Sequence, residues 1–143
     1  MSSALKGLKV LDLTMNLPGP YMTWLLANLG AEVIKVENPQ GGDYARVLGG
    51  TGLGGTNPFF EAVNRNKMSV TLNLKHPEGR KLFLALLDEY DILVEGFRPG
   101  TMERFGLGFK TTSAAQPRLI HVSISGYGQD GPYRLRAGHD LSR

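Results

Sequence analysis

The 143-residue sequence contains no cysteine, which excludes disulfide bonds, thiolate metal ligands and a cysteine nucleophile. It has no stretch approaching the ~20 apolar residues of a membrane-spanning helix, and residues 1–6 lack the apolar run of a signal peptide. The formal net charge is +3, but basic residues are interspersed with acidic ones and no aromatic residues accompany a basic run. We therefore expect no nucleic-acid partner, no membrane association and a cytoplasmic location.

The composition is typical of one globular domain. Apolar residues make up 41% and charged residues 20% of the chain. A domain of this length buries roughly two thirds of the surface that its unfolded chain exposes. We therefore treat residues 1–143 as a single domain.

Segments with strand character alternate with segments of helical spacing. The apolar runs predict strands at residues 8–13, 31–36, 68–74, 91–94 and 119–125. Helical periodicity predicts helices at residues 21–29 and 77–89, and the preceding Pro99-Gly100 indicates a short helix at residues 101–105. We expect irregular structure at residues 41–65 and 106–117. This alternation predicts an α/β fold with a mostly parallel sheet and right-handed crossovers.

One glycine-rich segment matches the spelling of a dinucleotide-binding motif. Residues 50–55 read GTGLGG, which satisfies G-x-G-x-x-G. That motif needs a strand directly before it and a helix directly after it, and neither is predicted here. We interpret the segment as a flexible glycine loop and expect no NAD site.

Ligands of open α/β sheets bind beyond the carboxyl ends of the strands. The turn at residues 16–19 after the first strand is a candidate anion site, or simply a connection shaped by proline and glycine. Basic residues expected on this side would suit phosphate groups, although each alone could be an ordinary surface charge: Arg46, Arg65, Lys67, Arg98 and Arg104. His139 lies in a loop beyond the last strand, where it is either a proton-transfer group or an ordinary loop histidine.

Several segments together resemble the class III coenzyme A-transferase family over essentially the whole chain. They are LKGLKVLDL at 5–13, PGP at 18–20, LGAEVIKVE at 29–37, NRNK at 64–67, FRPG at 97–100, MER at 102–104 and SGYG at 125–128, together with Ser69, Leu72 and Leu74. The resemblance implies a Rossmann-like domain that binds coenzyme A as part of a thioester substrate, no prosthetic group, and an interlocked homodimer. It also implies that Asn16, Leu17, Pro18, Leu72, Gly96 and Arg104 lie along the coenzyme A site, with Arg46, Arg65 and Lys67 as phosphate partners.

The family contains transferases and racemases similar to alpha-methylacyl-CoA racemase. Residues 137–140 read AGHD as in the racemases, whereas transferases commonly have tyrosine in place of His139. The resemblance therefore implies a racemase-like protein in which His139 removes the proton alpha to the thioester carbonyl. Because the family's partner aspartate and glutamate lie beyond residue 143, we expect an incomplete domain that is inactive alone. The alternatives are a coenzyme A-transferase and a non-catalytic interaction module.

Overall fold

The computed structural model describes residues 3–50, 55 and 57–138, and strands and helices alternate along them. The strands are β1 (Lys9–Leu13), β2 (Glu32–Glu37), β3 (Met68–Thr71), β4 (Ile92–Glu95) and β5 (Ile120–Ser123). The helices are α1 (Pro18–Asn28), α2 (Pro58–Asn64), α3 (Pro77–Leu87), α4 (Thr101–Arg104) and α5 (Phe109–Ala115), with a 3-10 turn at Tyr44–Arg46. No helix of the described part is long and apolar enough to cross a membrane.

The five strands form one sheet in the order β3-β2-β1-β4-β5, and every pairing is parallel. β1 lies at the centre, where Val10 is opposite Val33 of β2 and Ile92 of β4. From β1 the chain extends to β2 and β3 on one side and then crosses to β4 and β5 on the other. The predicted α/β fold with a parallel, Rossmann-like sheet is confirmed.

Both faces of the sheet are covered by helices. Successive side chains of a strand point to opposite faces. On one face Leu11 of β1 packs in a buried cluster with Phe83 and Leu87 of α3, and on the other Val10 packs with Ala27 of α1. Loops follow the carboxyl ends of the strands, and the candidate site lies among these loops.

Three elements lie where we predicted irregular structure, and those predictions are wrong. The 3-10 turn and α2 fall within residues 41–65, and α5 falls within residues 106–117. α2 begins with a side-chain cap, because Asn57 Oδ1 accepts hydrogen bonds from the backbone amides of Phe59 and Phe60. α5 buries only Thr112, so it has no apolar stripe from which periodicity could predict it.

Some predicted boundaries also move. α1 begins at Pro18 instead of residue 21, because proline suits the first turn of a helix. β3 ends at Thr71 instead of residue 74, since β2, its one neighbour within the described residues, ends at Glu37, directly opposite Thr71. The glycine motif at 50–55 follows a 3-10 turn and not a strand, and its residues 51–54 lie outside the described residues.

Candidate functional site

Two cavities open at the carboxyl ends of the five parallel strands. This side of the sheet includes the switch point between β1 and β4, where ligands of open α/β sheets bind. The basic cleft, of about 360 Å³, lies beyond β1, β4 and β5 and is lined by residues 14–19, 96–99, 124–126, 134 and 136–138. The apolar cavity, of about 170 Å³, lies beyond β1 and β2 and is lined by residues 13–15, 36–38, 42–43, 72–75, 97 and 105. Thr14, Met15 and Phe97 line both.

The basic cleft brings together four of the predicted site residues. Asn16, Leu17 and Pro18 come from the turn between β1 and α1, and Gly96 directly follows β4. Parallel strands place these two turns side by side, since β1 and β4 pair up to Leu13 and Glu95. Their contact with a ligand stays a prediction.

Three arginines give this cleft its charge. Arg98 follows β4, while Arg134 and Arg136 come from the loop after β5. No acidic residue lines the cleft among the described residues, and none of the three arginines forms an ion pair there. We did not single out Arg134 and Arg136 from the sequence, although their position just before the AGHD segment was an available signal.

The apolar cavity holds the predicted residue Leu72. Its walls are mainly carbon: Leu13, Val36, Leu72, Leu74, Phe97 and Phe105. The rings of Phe97 and Phe105 meet edge to face, with centroids 6.1 Å apart. Asn38, Asn73 and Lys75 add polar groups at the wall, so the cavity suits a flat apolar group with a polar edge.

Arg46, a predicted phosphate partner, is engaged within the chain. Its Nε donates to Glu37 Oε2 at 2.8 Å and its Nη2 to Glu37 Oε1 at 2.6 Å. The guanidinium also lies over the Phe60 ring, 3.9 Å from the centroid. Burial alone would raise the pKa of Glu37, but hydrogen bonds from Arg46, the amide of Asp43 and the Ser69 hydroxyl outweigh it and lower the pKa to about 2.

Lys67, the second predicted phosphate partner, is also engaged. Its Nζ lies 3.0 Å from Asp12 Oδ2, 2.9 Å from the carbonyl oxygen of Pro20 and 2.8 Å from Asn64 Oδ1. These contacts use all three ammonium donors. Burial opposes ionisation of Asp12, but Lys35, Lys67 and two threonine hydroxyls hold its pKa below its ordinary value. The arrangement favours a structural role for Lys67, and its predicted contact with phosphate is untested.

The remaining two predicted arginines lie away from both cavities. Arg65 lies over the Trp24 ring of α1, with its Cζ 5.7 Å from the centroid. Arg104 donates from Nη2 to Thr101 Oγ1 at 2.8 Å within α4. Both are exposed and line neither cavity, so the structure does not bring them together with Asn16 and Gly96.

Glu95 ends β4 directly below the Gly96 turn. It is buried, and its Oε2 accepts a hydrogen bond from the amide of Phe97 at 2.8 Å. Burial raises its pKa, while the hydrogen bonds from Ser123 and Phe97 oppose this rise. The carboxylate therefore fixes the turn whose residues 96–99 line the basic cleft.

The histidines have different surroundings. His139, our predicted catalytic residue, lies outside the described residues, although the adjoining Gly138 lines the basic cleft. His76 caps α3 by accepting from the amide of Glu78 at 3.3 Å. His121 lies in β5 and is half-buried: its Nδ1 lies 3.0 Å from Thr112 Oγ1, and its Nε2 has no hydrogen-bond partner among the described residues.

Sequence reasoning missed a group of buried charges behind the β1–α1 turn. Asp12, Lys35 and Asp43 are each at most 1% exposed. Lys35 Nζ lies 2.9 Å from Asp43 Oδ2, and Lys67 pairs with Asp12. Asp12 and Lys35 lie between apolar residues in the interior of their strands, and a charge at such a position is the signal that could have predicted paired partners.

The parallel sheet, the helices on both of its faces and the cleft at its switch point define a Rossmann-like α/β domain. Residues 5–142 match the model described as CoA-transferase family III, and the chain belongs to that family. The family acts on coenzyme A thioesters.

Similar proteins are coenzyme A-transferases. Human succinyl-CoA:glutarate CoA-transferase is 45% identical over 136 residues, which cover 95% of this chain and 31% of that protein. The beta subunit of succinyl-CoA–L-malate CoA-transferase from Chloroflexus aurantiacus is 46% identical over 134 residues, covering 94% and 33% respectively. A CAIB/BAIF family protein from Brucella suis has a crystal structure that matches with a TM-score of 0.92 at 40% identity, covering 99% of this chain and 38% of that one.

The chain thus spans about a third of the length of the curated relatives it matches. Both relatives carry the transferase name that we gave as the alternative, and they do not confirm the racemase-like branch.

Proposed function

We propose that this chain binds the coenzyme A part of an acyl-CoA thioester in a coenzyme A-transferase. The observation that carries this proposal is a basic cleft adjoining an apolar cavity at the switch point of a family III sheet. The transferase names of the relatives support this reading over the racemase. The homodimer implied by the resemblance and the cytoplasmic location expected from the sequence stay predictions.

The basic cleft is proposed to hold phosphate groups. Arginine makes charge-assisted, two-pronged hydrogen bonds to phosphate oxygens. Arg98, Arg134 and Arg136 line one cleft and have no carboxylate partner among the described residues, so their charges are available to an anion. Coenzyme A carries several phosphate charges, which matches a cleft with three cationic side chains.

The apolar cavity is proposed to hold the adenine base. An aromatic base gains from contact with Leu72, Phe97 and Phe105, and its polar edge can pair with the amides of Asn38 or Asn73. Phe97 lines both cavities, so one ligand can pass from the apolar cavity into the basic cleft. The predicted residues Leu72 and Gly96 would then contact different parts of the same molecule.

The transfer exchanges one thioester for another. The sulfur of coenzyme A leaves the acyl carbonyl of the donor and becomes bonded to the acyl carbon of the acceptor, while one carboxylate oxygen of the acceptor ends on the released donor acid. Because the relatives are named for succinyl-CoA, we propose succinyl-CoA as the donor to test first and a small dicarboxylic acid as acceptor. The chain covers about a third of those relatives, so we assign it the binding of coenzyme A and not the whole reaction.

Calorimetric titration with coenzyme A tests the binding site. We expect saturable binding that Arg136→Gln weakens by about tenfold, since a hydrogen bond to a charged group contributes more than 1 kcal/mol. The matched control is Arg118→Gln, which removes an equal charge from an exposed position. Arg118 lies two residues before β5, at the amino ends of the strands and away from the cleft. Equal weakening by both variants would indicate nonspecific attraction, and absent binding by the folded wild type would refute the site.

The racemase remains a second candidate because residues 137–140 read AGHD. In that reaction His139 removes the alpha proton, and solvent exchange places deuterium on the same carbon in D₂O. Incubation with a 2-methylacyl-CoA in D₂O and mass spectrometry of the recovered thioester distinguish the two. Deuterium uptake that His139→Ala abolishes would favour the racemase, whereas transfer of coenzyme A to an added acid without uptake would favour the transferase.

A further inference from the structure

A buried ion pair that lies outside the β1–α1 turn contacts the backbone of that turn. Lys35 comes from β2, and Asp43 comes from the loop that follows β2. Lys35 Nζ lies 2.9 Å from Asp43 Oδ2, and the two side chains are 2% and 0% exposed. Neither residue belongs to the turn, so contacts between the pair and the turn join β2 to the wall of the site.

Each partner of the pair contacts the turn through one backbone group. Lys35 Nζ donates to the carbonyl oxygen of Thr14 at 2.6 Å. Asp43 Oδ1 accepts from the amide of Asn16 at 3.0 Å, while it also accepts from the amide of Ala45 at 2.9 Å. The backbone of Met15 is therefore fixed on both sides by one ion pair. We call Lys35 and Asp43 the turn clamp.

The turn clamp holds a backbone conformation that most residues avoid. Asn16 has a φ of 64°, in the left-handed region that few residues other than glycine, asparagine and aspartate adopt. Met15 and Asn16 are exposed, and both line the basic cleft, with Met15 also lining the apolar cavity. A turn that relaxed from this conformation would move the wall between the two cavities.

Stability alone is a weak reason for such a pair. The cost of removing two charges from water roughly cancels their attraction, and apolar side chains of similar size often stabilise a protein equally well. What apolar side chains cannot do is bind the carbonyl of Thr14 and the amide of Asn16 at once. The clamp's distinct contribution is thus the geometry of the turn.

We propose that Lys35 and Asp43 are positioning residues that hold residues 14–16 in the conformation that binds coenzyme A. This inference rests on the proposed function of the basic cleft. A preformed turn lowers the ordering cost of binding, so loss of the clamp should weaken ligand binding beyond its effect on stability.

The test combines a readout without ligand and one with ligand. Amide hydrogen exchange at Asn16, followed by NMR on the full chain, reports whether the clamp holds the turn. Calorimetry with coenzyme A reports whether the held turn matters for binding. The variant Lys35→Met breaks the clamp, and Lys35→Gln with Asp43→Asn replaces it by a neutral donor and acceptor, which keeps the test open if the first variant does not fold.

The matched control is Leu87→Ala. Leu87 is fully buried and is the last residue of α3. It lies near the amino ends of the strands, whereas the turn lies at their carboxyl ends. It lowers stability without touching the turn, so it separates a general loss of stability from a loss of positioning.

For Lys35→Met we expect exchange at Asn16 and the Kd for coenzyme A each to rise by about tenfold or more, with partial recovery in the neutral pair and neither change in Leu87→Ala. Unchanged exchange at Asn16 would overturn the clamp, whether or not ligand binds. Faster exchange with an unchanged Kd, or equal weakening by Leu87→Ala, would overturn its role in binding. A wild type with a protected Asn16 amide but no affinity for coenzyme A would refute the proposed function and, with it, the ligand role of the clamp.

Discussion

Replacing Glu37 by glutamine should destabilise the protein at neutral pH but not near pH 2. Glu37 is 5% exposed and accepts two hydrogen bonds from Arg46, together with others from Ser69 and the Asp43 amide. These contacts lower its pKa from 4.5 to about 2, which corresponds to about 3 kcal/mol at about 1.36 kcal/mol per pH unit. Because the Arg46 side chain is 40% exposed, water screens part of this, and we expect Glu37→Gln to cost about 2 kcal/mol at pH 7.

The sign of the pH dependence follows from the lowered pKa. The folded state favours the ionised carboxylate, so its contribution is fully present above pH 4.5 and is lost as the pH falls from 4.5 towards 2. Urea unfolding followed by circular dichroism at several pH values between 7 and 2 measures the difference between wild type and variant. We expect that difference to disappear within this window.

A matched control is Glu89→Gln. Glu89 is 72% exposed and lies 3.5 Å from Lys9, so its loss should change the free energy of unfolding by less than about 0.5 kcal/mol. A Glu37→Gln effect that is constant from pH 7 to pH 2, or no larger than that of Glu89→Gln at pH 7, would refute the reasoning.

Two further substitutions test the fold. Glu95→Gln should leave the free energy of unfolding at pH 7 unchanged or raised. Burial raises the pKa of Glu95 and penalises its charge, while glutamine can still accept a hydrogen bond from the Phe97 amide. Denaturation at pH 7 and at pH 4 should show that any gain in stability shrinks at the lower pH. A glycine-to-alanine change within a helix normally stabilises it by about 1 kcal/mol. In Gly79→Ala, however, the new Cβ would lie 2.0 Å from the carbonyl oxygen of Asn73, so thermal unfolding should show a lower Tm. A higher Tm would contradict this packing.

The pattern of the sequence predicted the sheet because its three inner strands, β1, β2 and β4, are largely buried. Residues 8–13 and 31–36 are apolar apart from two charged residues each, which is typical of strands in a parallel sheet covered on both faces. α2 and α5 were missed because each has only seven residues, too few to show a helical period. For α2 the capping residue Asn57 was the better signal.

The candidate site was predicted only where it depends on topology. Asn16 and Gly96 follow strands that pair at the centre of the sheet, so the strand order was enough to bring them together. Arg46 and Lys67 were expected to face a ligand, but Lys67 pairs with Asp12 of β1, and Arg46 pairs with Glu37 through the fold of the loop after β2. The turn clamp was missed because it also depends on the course of that loop, which no periodic pattern predicts.

The central position of β1 has a consequence for how the chain folds. Val10 pairs with Val33 across a short stretch of chain but with Ile92 across a much longer one, so the pairing of β1 with β4 joins residues that are distant in sequence. Contacts of this kind slow folding. Ribosomes add about 5–20 residues per second, so β1 would wait about 4–16 s for β4 to emerge, with one of its edges unpaired in the meantime. The unpaired edge makes a nascent chain shorter than about 100 residues prone to aggregation. The basic cleft cannot exist before β4 has paired, so such a chain also cannot gain stability from a ligand bound there.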